Sequence, residues 1–325
     1  MQTFKYVQPK SLSEAATISE KESNSAVLFA GGTDVLGLIK NDIISPSKVI
    51  NLKLIPGLDK IEYTNGAGLK IGALTTVSEI AEHPEIIRKF TALSEAAKEV
   101  ASPQLRNVGT IGGNICQRPR CWYFREDFDC IRKGGDTCYA VGGENKYHCV
   151  VGGGPCFIVH PSDIAVALVA LNAELTITNG KELKKISADN FFVLPGENTL
   201  RENILKPGEI LTEIFVPETS ANTSSRYIKF KERNVWDFAI VSVAADFKKN
   251  DIKLNSARIV LGGVAPIPWI DKQLNSMLIG MELSEKSIEN AVTNTLTDAE
   301  PMEKNEYKIP LARNLVKKVL NDLRG

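Results

Sequence analysis

Cysteine is missing before residue 116 and after residue 156. The six that exist, Cys116, Cys121, Cys130, Cys138, Cys149 and Cys156, fall in one short stretch. Scattered core thiols do not cluster in this way, so something local requires several sulfurs together. An excess of charge is missing too: 39 Lys and Arg balance 39 Asp and Glu, which removes the basic footprint of a nucleic-acid binder. No run of about 18 apolar residues exists that could span a bilayer. The opening MQTFKYVQPKSLSEAA has no apolar segment of the signal-peptide kind, so the expected compartment is the reducing cytoplasm, where disulfides are rare. Histidine numbers only three, too few for much metal chemistry. No P-loop, nucleophile elbow, metalloprotease helix or acid–base carboxylate pair occurs. No catalytic residue is assigned, and the chain does not look able to transform a substrate unaided.

What is present reads as a two- or three-domain α+β chain of 325 residues. Residues 4–9 read as a short strand, followed by a helix capped by Ser11 with Glu14 three residues on. Residues 26–30 form an apolar β run that ends in Gly31-Gly32-Thr33-Asp34 and enters a helical pattern over 35–40. Residues 49–54 close this β-turn-α-β unit. Two strands flank the turn Asn65–Gly68, and one long helix is expected over 85–101. An apolar helix follows at 163–171 and a strand at 174–178. The polar stretch 217–225 is the expected linker, beyond which strands at 226–231, 240–247 and 253–262 give way to helices.

Two glycine turns carry ligand-binding potential. Phe29-Ala30-Gly31-Gly32-Thr33-Asp34-Val35 lets backbone N–H groups approach a phosphate at a helix start. Thr110-Ile111-Gly112-Gly113-Asn114 adds room, a hydroxyl and an amide. Each alone is ordinary turn chemistry; the two together suggest a two-sided dinucleotide cradle. The cysteine loop, rich in glycine, admits disulfides, zinc or iron–sulfur. Only the Cys116–Cys121 gap of four residues falls within the C-x₂₋₄-C spacing of structural zinc, whereas an iron–sulfur cluster tolerates irregular spacing. His83, His148 and His160 are read as surface, loop and capping residues, and Asp163 as either a helix cap or an acceptor for a ligand hydroxyl.

Together these residues resemble the FAD-binding medium subunit of the molybdenum hydroxylases, the xanthine dehydrogenase and carbon monoxide dehydrogenase family. The resemblance runs along essentially the whole chain. Its markers are Ala30–Asp34, Thr110–Asn114, His160-Pro161-Ser162-Asp163, Pro207-Gly208-Glu209-Ile210-Leu211, and Lys229-Phe230-Lys231 ahead of Asp237-Phe238-Ala239. The resemblance implies a two-subdomain FAD-binding fold of the vanillyl-alcohol-oxidase type over 1–219, with a small subdomain over about 1–55 and a larger one over 56–219. A C-terminal α+β flavoprotein domain is implied over 226–325. It further implies diphosphate contacts from residues 29–35 and 110–114. Asp163 would contact the flavin's sugar-like chain, Lys229 would approach the isoalloxazine, and Leu211 or Ile210 would lie near the flavin.

Residues 117–156 resemble an insertion found in a subset, the 4-hydroxybenzoyl-CoA reductase β subunit and the flavin subunit of bacterial molybdenum aldehyde oxidoreductases. There the insertion holds a [4Fe–4S] cluster. The matching positions are Cys121, Cys130, Cys138 and Cys156, with a set using Cys149 in place of Cys156 as the alternative; Cys116 and Cys149 have no counterpart. The implied function is electron relay between a molybdenum-cofactor large subunit, a [2Fe–2S] small subunit and an external acceptor. Periplasmic location would require co-export with a signal-bearing partner. The rival readings are a zinc-stabilised binding module without flavin and a standalone FAD-dependent NAD(P)H reductase.

Overall fold

The computed structural model describes residues 1–23, 25–218 and 223–324. Three sheets organise it. The first is parallel, order β1-β3-β2, from β1 (Lys5–Val7), β2 (Ala26–Phe29) and β3 (Lys48–Asn51). Parallel neighbours need crossovers, and the helices Leu12–Lys21 and Val35–Lys40 supply them. Ser11 caps the first of these, accepting from the Glu14 N–H at 3.2 Å, as its spacing predicts. Ala15, Ala16, Ile50 and Leu52 fill the small core between helix and sheet.

The second sheet is antiparallel, order β4-β5-β8-β6-β7. It comprises β4 (Ile61–Thr64), β5 (Gly68–Gly72), β6 (Glu174–Thr178), β7 (Leu183–Ser187) and β8 (Ile210–Pro217). Its apolar face packs on the helices Val77–Glu82, Pro84–Lys89 and Thr91–Glu99. The single helix expected over 85–101 is two helices, because Phe90 (φ −125°, ψ 50°) leaves helical geometry to bury its ring.

The third sheet, β9 (Thr223–Phe230), β10 (Val241–Asn250) and β11 (Lys253–Gly262), is an antiparallel meander. Helices Lys272–Leu278, Glu285–Thr293 and Lys308–Arg324 contribute to its core. The α+β class and the sheet-plus-helices C-terminal unit are as expected. The expected linker 217–225 is shorter: strands claim Pro217 at one end and Thr223 to Ser225 at the other, and 219–222 lie outside the described residues.

One helix joins the second and third units. Asp163–Ala170 is buried along all eight residues, as an all-round apolar helix must be. Ser162, not Asp163, caps it, accepting from the Ala165 N–H at 3.0 Å. Asp163 is thereby left free for other contacts at the helix's first turn.

Between this helix and the second glycine turn runs the cysteine segment. Its only regular pieces are the helix Trp122–Arg125 and the 3-10 turn Ile131–Lys133. An irregular segment must satisfy its backbone elsewhere, and here the flanking units do so. The Val150 N–H donates to Val264 O at 2.8 Å, and the Asn305 amide donates to Cys149 O at 3.0 Å.

Candidate functional site

The two glycine turns meet. A Cβ on Gly31 would stand 2.2 Å from the Val108 carbonyl oxygen and 2.9 Å from Gly109 Cα. Only glycine permits that backbone approach. Gly32 has φ +75°, and a side chain there would also strike the Phe29 ring at 2.5 Å. The contact fixes both turns along one side of a cleft of about 490 Å³ lined by Ala30 to Val35, Thr110, Gly112, Gly113 and Leu211. A second cleft of about 360 Å³ continues from it, sharing Thr33, Asp34, Thr110, Gly113 and Gln117. This one adds Asn114, Asp163 and the Trp236-Asp237-Phe238 segment.

The predicted diphosphate residues therefore line one continuous surface, except Phe29 and Ile111. The Phe29 ring packs edge-on to Tyr6 at 6.3 Å and lies under Lys53 Nζ at 5.2 Å. Ile111 is wholly buried in the core of the second unit. Both hold their turns in place from behind. Gly113 faces open space: a Cβ there would meet only Thr110 Oγ1, at 3.1 Å. Thr110 Oγ1 in turn accepts from the Gly113 N–H at 3.2 Å. The cradle therefore has room where a phosphate needs it, although the N–H groups of Ile111 to Asn114 already donate to Thr75 O, Ala73 O, Thr110 Oγ1 and Thr110 O.

Asp163 lines the second cleft from the buried helix start, 5% exposed. Tyr227 Oη donates to its Oδ1 at 2.6 Å and Lys229 Nζ to its Oδ2 at 2.7 Å. Burial pushes the Asp163 carboxyl up, and Lys229 partly offsets this. Lys229 is not free at the cleft. Its side chain, 1% exposed, is spent on Asp163 and on the Glu99 carbonyl at 3.1 Å. Leu211 lines the first cleft and Asp163 the second, so the glycine turns separate them.

Cys121, Cys130, Cys138 and Cys156 line a single small void of about 10 Å³, walled by Tyr123, Phe124 and Ile158. Cys116 instead lines the first cleft. Cys149 is buried against Gly153, where a Cβ would come within 2.8 Å of its Sγ. All six thiols are free. Among the described residues, no three His, Cys, Asp or Glu side chains gather as a site for a single metal ion. The thiols differ electrostatically. Burial pushes Cys116 and Cys149 up to about 12 and Cys121 up to about 11. Cys156 is drawn down, first by the Cys138 S–H and, against the opposing effect of its burial, by the Arg132 guanidinium. His148 Nε2 stands 3.3 Å from Cys121 Sγ, and burial lowers this imidazole to about 4, so it is neutral.

Arginines bind the void to the first glycine turn. Asp34 leaves its own helix uncapped. It accepts instead from the Arg118 N–H at 2.8 Å and from Arg125 Nη2 at 2.8 Å, and it pairs with Arg120 Nη1 at 2.9 Å. Glu202 pairs with Arg118 at 2.9 Å and Arg132 at 2.7 Å. Arg120 and Arg125 belong to the stretch that resembles the insertion, but the sequence showed no partner for any of these arginines. The run Arg118, Arg120, Arg125, Arg132 among the cysteines was the available signal, but its carboxylate partners lie as far as 91 residues away. A third cleft of about 450 Å³ borders Cys121, His148, Asp163 and Phe238.

Comparison with known proteins matches residues 2–219 to the FAD binding domain in molybdopterin dehydrogenase, and residues 226–323 to the CO dehydrogenase flavoprotein C-terminal domain. The chain is 36% identical over 330 residues to an aldehyde oxidoreductase FAD-binding subunit of Escherichia coli, covering 100% of this chain and 99% of that one. It is 28% identical over 323 residues to the carbon monoxide dehydrogenase medium chain of Hydrogenophaga pseudoflava, covering 98% and 96%. A solved structure of carbon monoxide dehydrogenase from the same organism superposes with a TM-score of 0.78 at 26% identity, covering 98% of this chain and 96% of that one. The two matched domains together span nearly the whole chain, and the chain belongs to the FAD-binding medium subunits of the molybdenum hydroxylases.

Proposed function

We propose that this chain is the flavin- and iron–sulfur-bearing electron-transfer subunit of a molybdenum-dependent dehydrogenase of the aldehyde oxidoreductase type. Its partners would be a molybdenum-cofactor large subunit and a [2Fe–2S] small subunit, with an external acceptor taking the electrons. The observation that carries this reading is the backbone contact between Gly31 and the Val108-Gly109 segment, which sets the two glycine turns along one continuous cleft. FAD bound there supplies the exchange between one-electron centres and a two-electron acceptor.

The residues bind and orient. Ala30 to Val35, Thr110, Gly112, Gly113 and Asn114 would line the diphosphate site. Asp163 is fixed by Tyr227 and Lys229 yet keeps free lone pairs toward the second cleft, where a ribityl hydroxyl can donate to it. Lys229 acts through Asp163 rather than on the ring directly. Leu211 belongs to the half of the site away from Asp163, and so to the adenosine side. The third cleft, bordering both Cys121 and the Asp163 segment, is the approach for the external acceptor.

For the cysteines we read Cys121, Cys130, Cys138 and Cys156 as ligands of a [4Fe–4S] cluster. The support is chemical: four thiols surround one void, and Cys156, a matched position, lines it, whereas Cys149 does not. A cluster also spreads its thiolates over its outer corners, further apart than the tetrahedron about one zinc ion. Purified protein tests the whole reading. Flavin absorption bands together with a broad iron–sulfur shoulder are expected, and a colourless zinc protein sinks it. Cys138→Ser is expected to lower iron to near zero with FAD largely retained; unchanged iron removes Cys138 from the ligand set.

A further inference from the structure

Arg132 is an unusual neighbour for a cysteine site. Its side chain is 1% exposed, and its Nε donates to Cys156 Sγ at 3.3 Å. Its Nη1 donates to Glu202 Oε1 at 2.7 Å, and the Glu202 side chain is itself 6% exposed. Burying a guanidinium is costly unless it is paired, so a fold that needed only packing would place an apolar residue here. Glu202 carries a second load, since Arg118 Nε stands 2.9 Å from its Oε2. One carboxylate therefore balances two guanidinium groups, and one of those cations donates directly to the sulfur.

We propose that Arg132 and Glu202 form the potential-setting pair of the metal centre held by Cys156. Arg132 raises its reduction potential and Glu202 moderates that rise. This rests on the reading of the four cysteines as iron–sulfur ligands. The physics fixes the signs. Reduction adds one electron, and therefore negative charge, to the cluster. A cation hydrogen-bonded to a ligand sulfur favours the reduced form; a carboxylate one residue further out opposes it more weakly. The site is dry and water screens little there, so both effects survive at physiological salt. Neither residue is a ligand, and neither needs to move during turnover.

Redox titration of the cluster's paramagnetic signal in the intact complex tests the pair. Arg132→Met is expected to shift the midpoint downward, and Glu202→Gln to shift it upward by a smaller amount, with iron and flavin content unchanged in both. Arg132→Lys keeps the charge and is expected to fall between Arg132→Met and the parent. A purely structural role would lower iron content, or move both variants in the same direction. Arg132→Met leaves Glu202 still paired with Arg118, so no naked carboxylate complicates folding. If Arg132→Met nevertheless fails to accumulate, the upward shift in Glu202→Gln alone carries the proposal, and its absence overturns it. Unmoved or same-direction midpoints in iron-replete protein overturn the pair's role alone. Parent protein without iron overturns the cysteine reading beneath it, and the pair's role with it.

Discussion

Gly113 shows how much chemistry a missing side chain can carry. Nothing but Thr110 Oγ1 lies near the place its Cβ would occupy, at 3.1 Å, so a larger residue there asks only a small shift of that hydroxyl and fills the cradle instead. Gly113→Val is accordingly expected to leave thermal stability within about 1 kcal/mol of the parent while reducing bound FAD severely, measured as flavin per chain after gel filtration. Stoichiometric flavin in the variant would mean that the diphosphate sits elsewhere. Gly32→Val should lose FAD and stability together, since φ +75° and the Phe29 ring both oppose a side chain. Cys116 and Cys149, without a counterpart in the resemblance, have ordinary places: one in the wall of the first cleft, one packed on Gly153. At pKa values near 12 both remain protonated, unreactive thiols.

At the scale of elements, the cysteine segment is an attachment rather than a unit with its own core. Its apolar contacts are with its neighbours: Phe124 and Cys130 meet Leu38 of the crossover helix, and Val150 and Val151 join the core of the third unit. Asp34 is its principal tether, receiving Arg118, Arg120 and Arg125 at the foot of the first glycine turn. Asp34→Ala is expected to cost about 2–3 kcal/mol, because it leaves partly buried guanidinium groups without their carboxylate. The loss should be local: hydrogen exchange is expected to rise over residues 117–133 and in the first glycine turn, and to stay unchanged in the third sheet. Uniform loss of protection across the chain would show that the tether is not local. The sequence made the helix start at Val35 legible, together with the aspartate before it. It could not show that this acid abandons capping for arginines far along the chain.

At the scale of the molecule, the last helix closes the structure over the cysteine segment. Lys308 is fully buried and donates to the Tyr147 carbonyl at 2.8 Å and the Gly263 carbonyl at 2.7 Å, joining that segment to the third sheet. Burial lowers its ammonium to about 7 from 10.5. The folded chain therefore releases this proton near neutrality, while the unfolded chain holds it to above pH 10. In that window the unfolded state binds more protons, so stability rises with pH. The penalty, a few kcal/mol at most, is present in full below pH 7 and relieved as pH approaches 10. Thermal melts of the parent and Lys308→Met over this range check it. The parent is expected to gain on the variant as pH rises, and parallel curves would refute the assignment.

The sequence by itself determined what depends on local pattern and composition. The glycine turns, the crossover unit, the Ser11 cap and the buried helix at Asp163 follow from backbone geometry and apolar periodicity within short windows. The confinement of sulfur to one loop is likewise visible in the chain, and so is the family, because its markers keep their order. Only the tertiary structure decided which side chains face one another. It set Lys229 on Asp163 instead of at the cleft, separated Leu211 from Asp163, split the helix at Phe90, and brought Arg132 and Glu202 to Cys156. Such pairings are made by burial. A charge taken out of water must find its opposite wherever the packed elements bring one, and no local pattern encodes a partner 70 residues away.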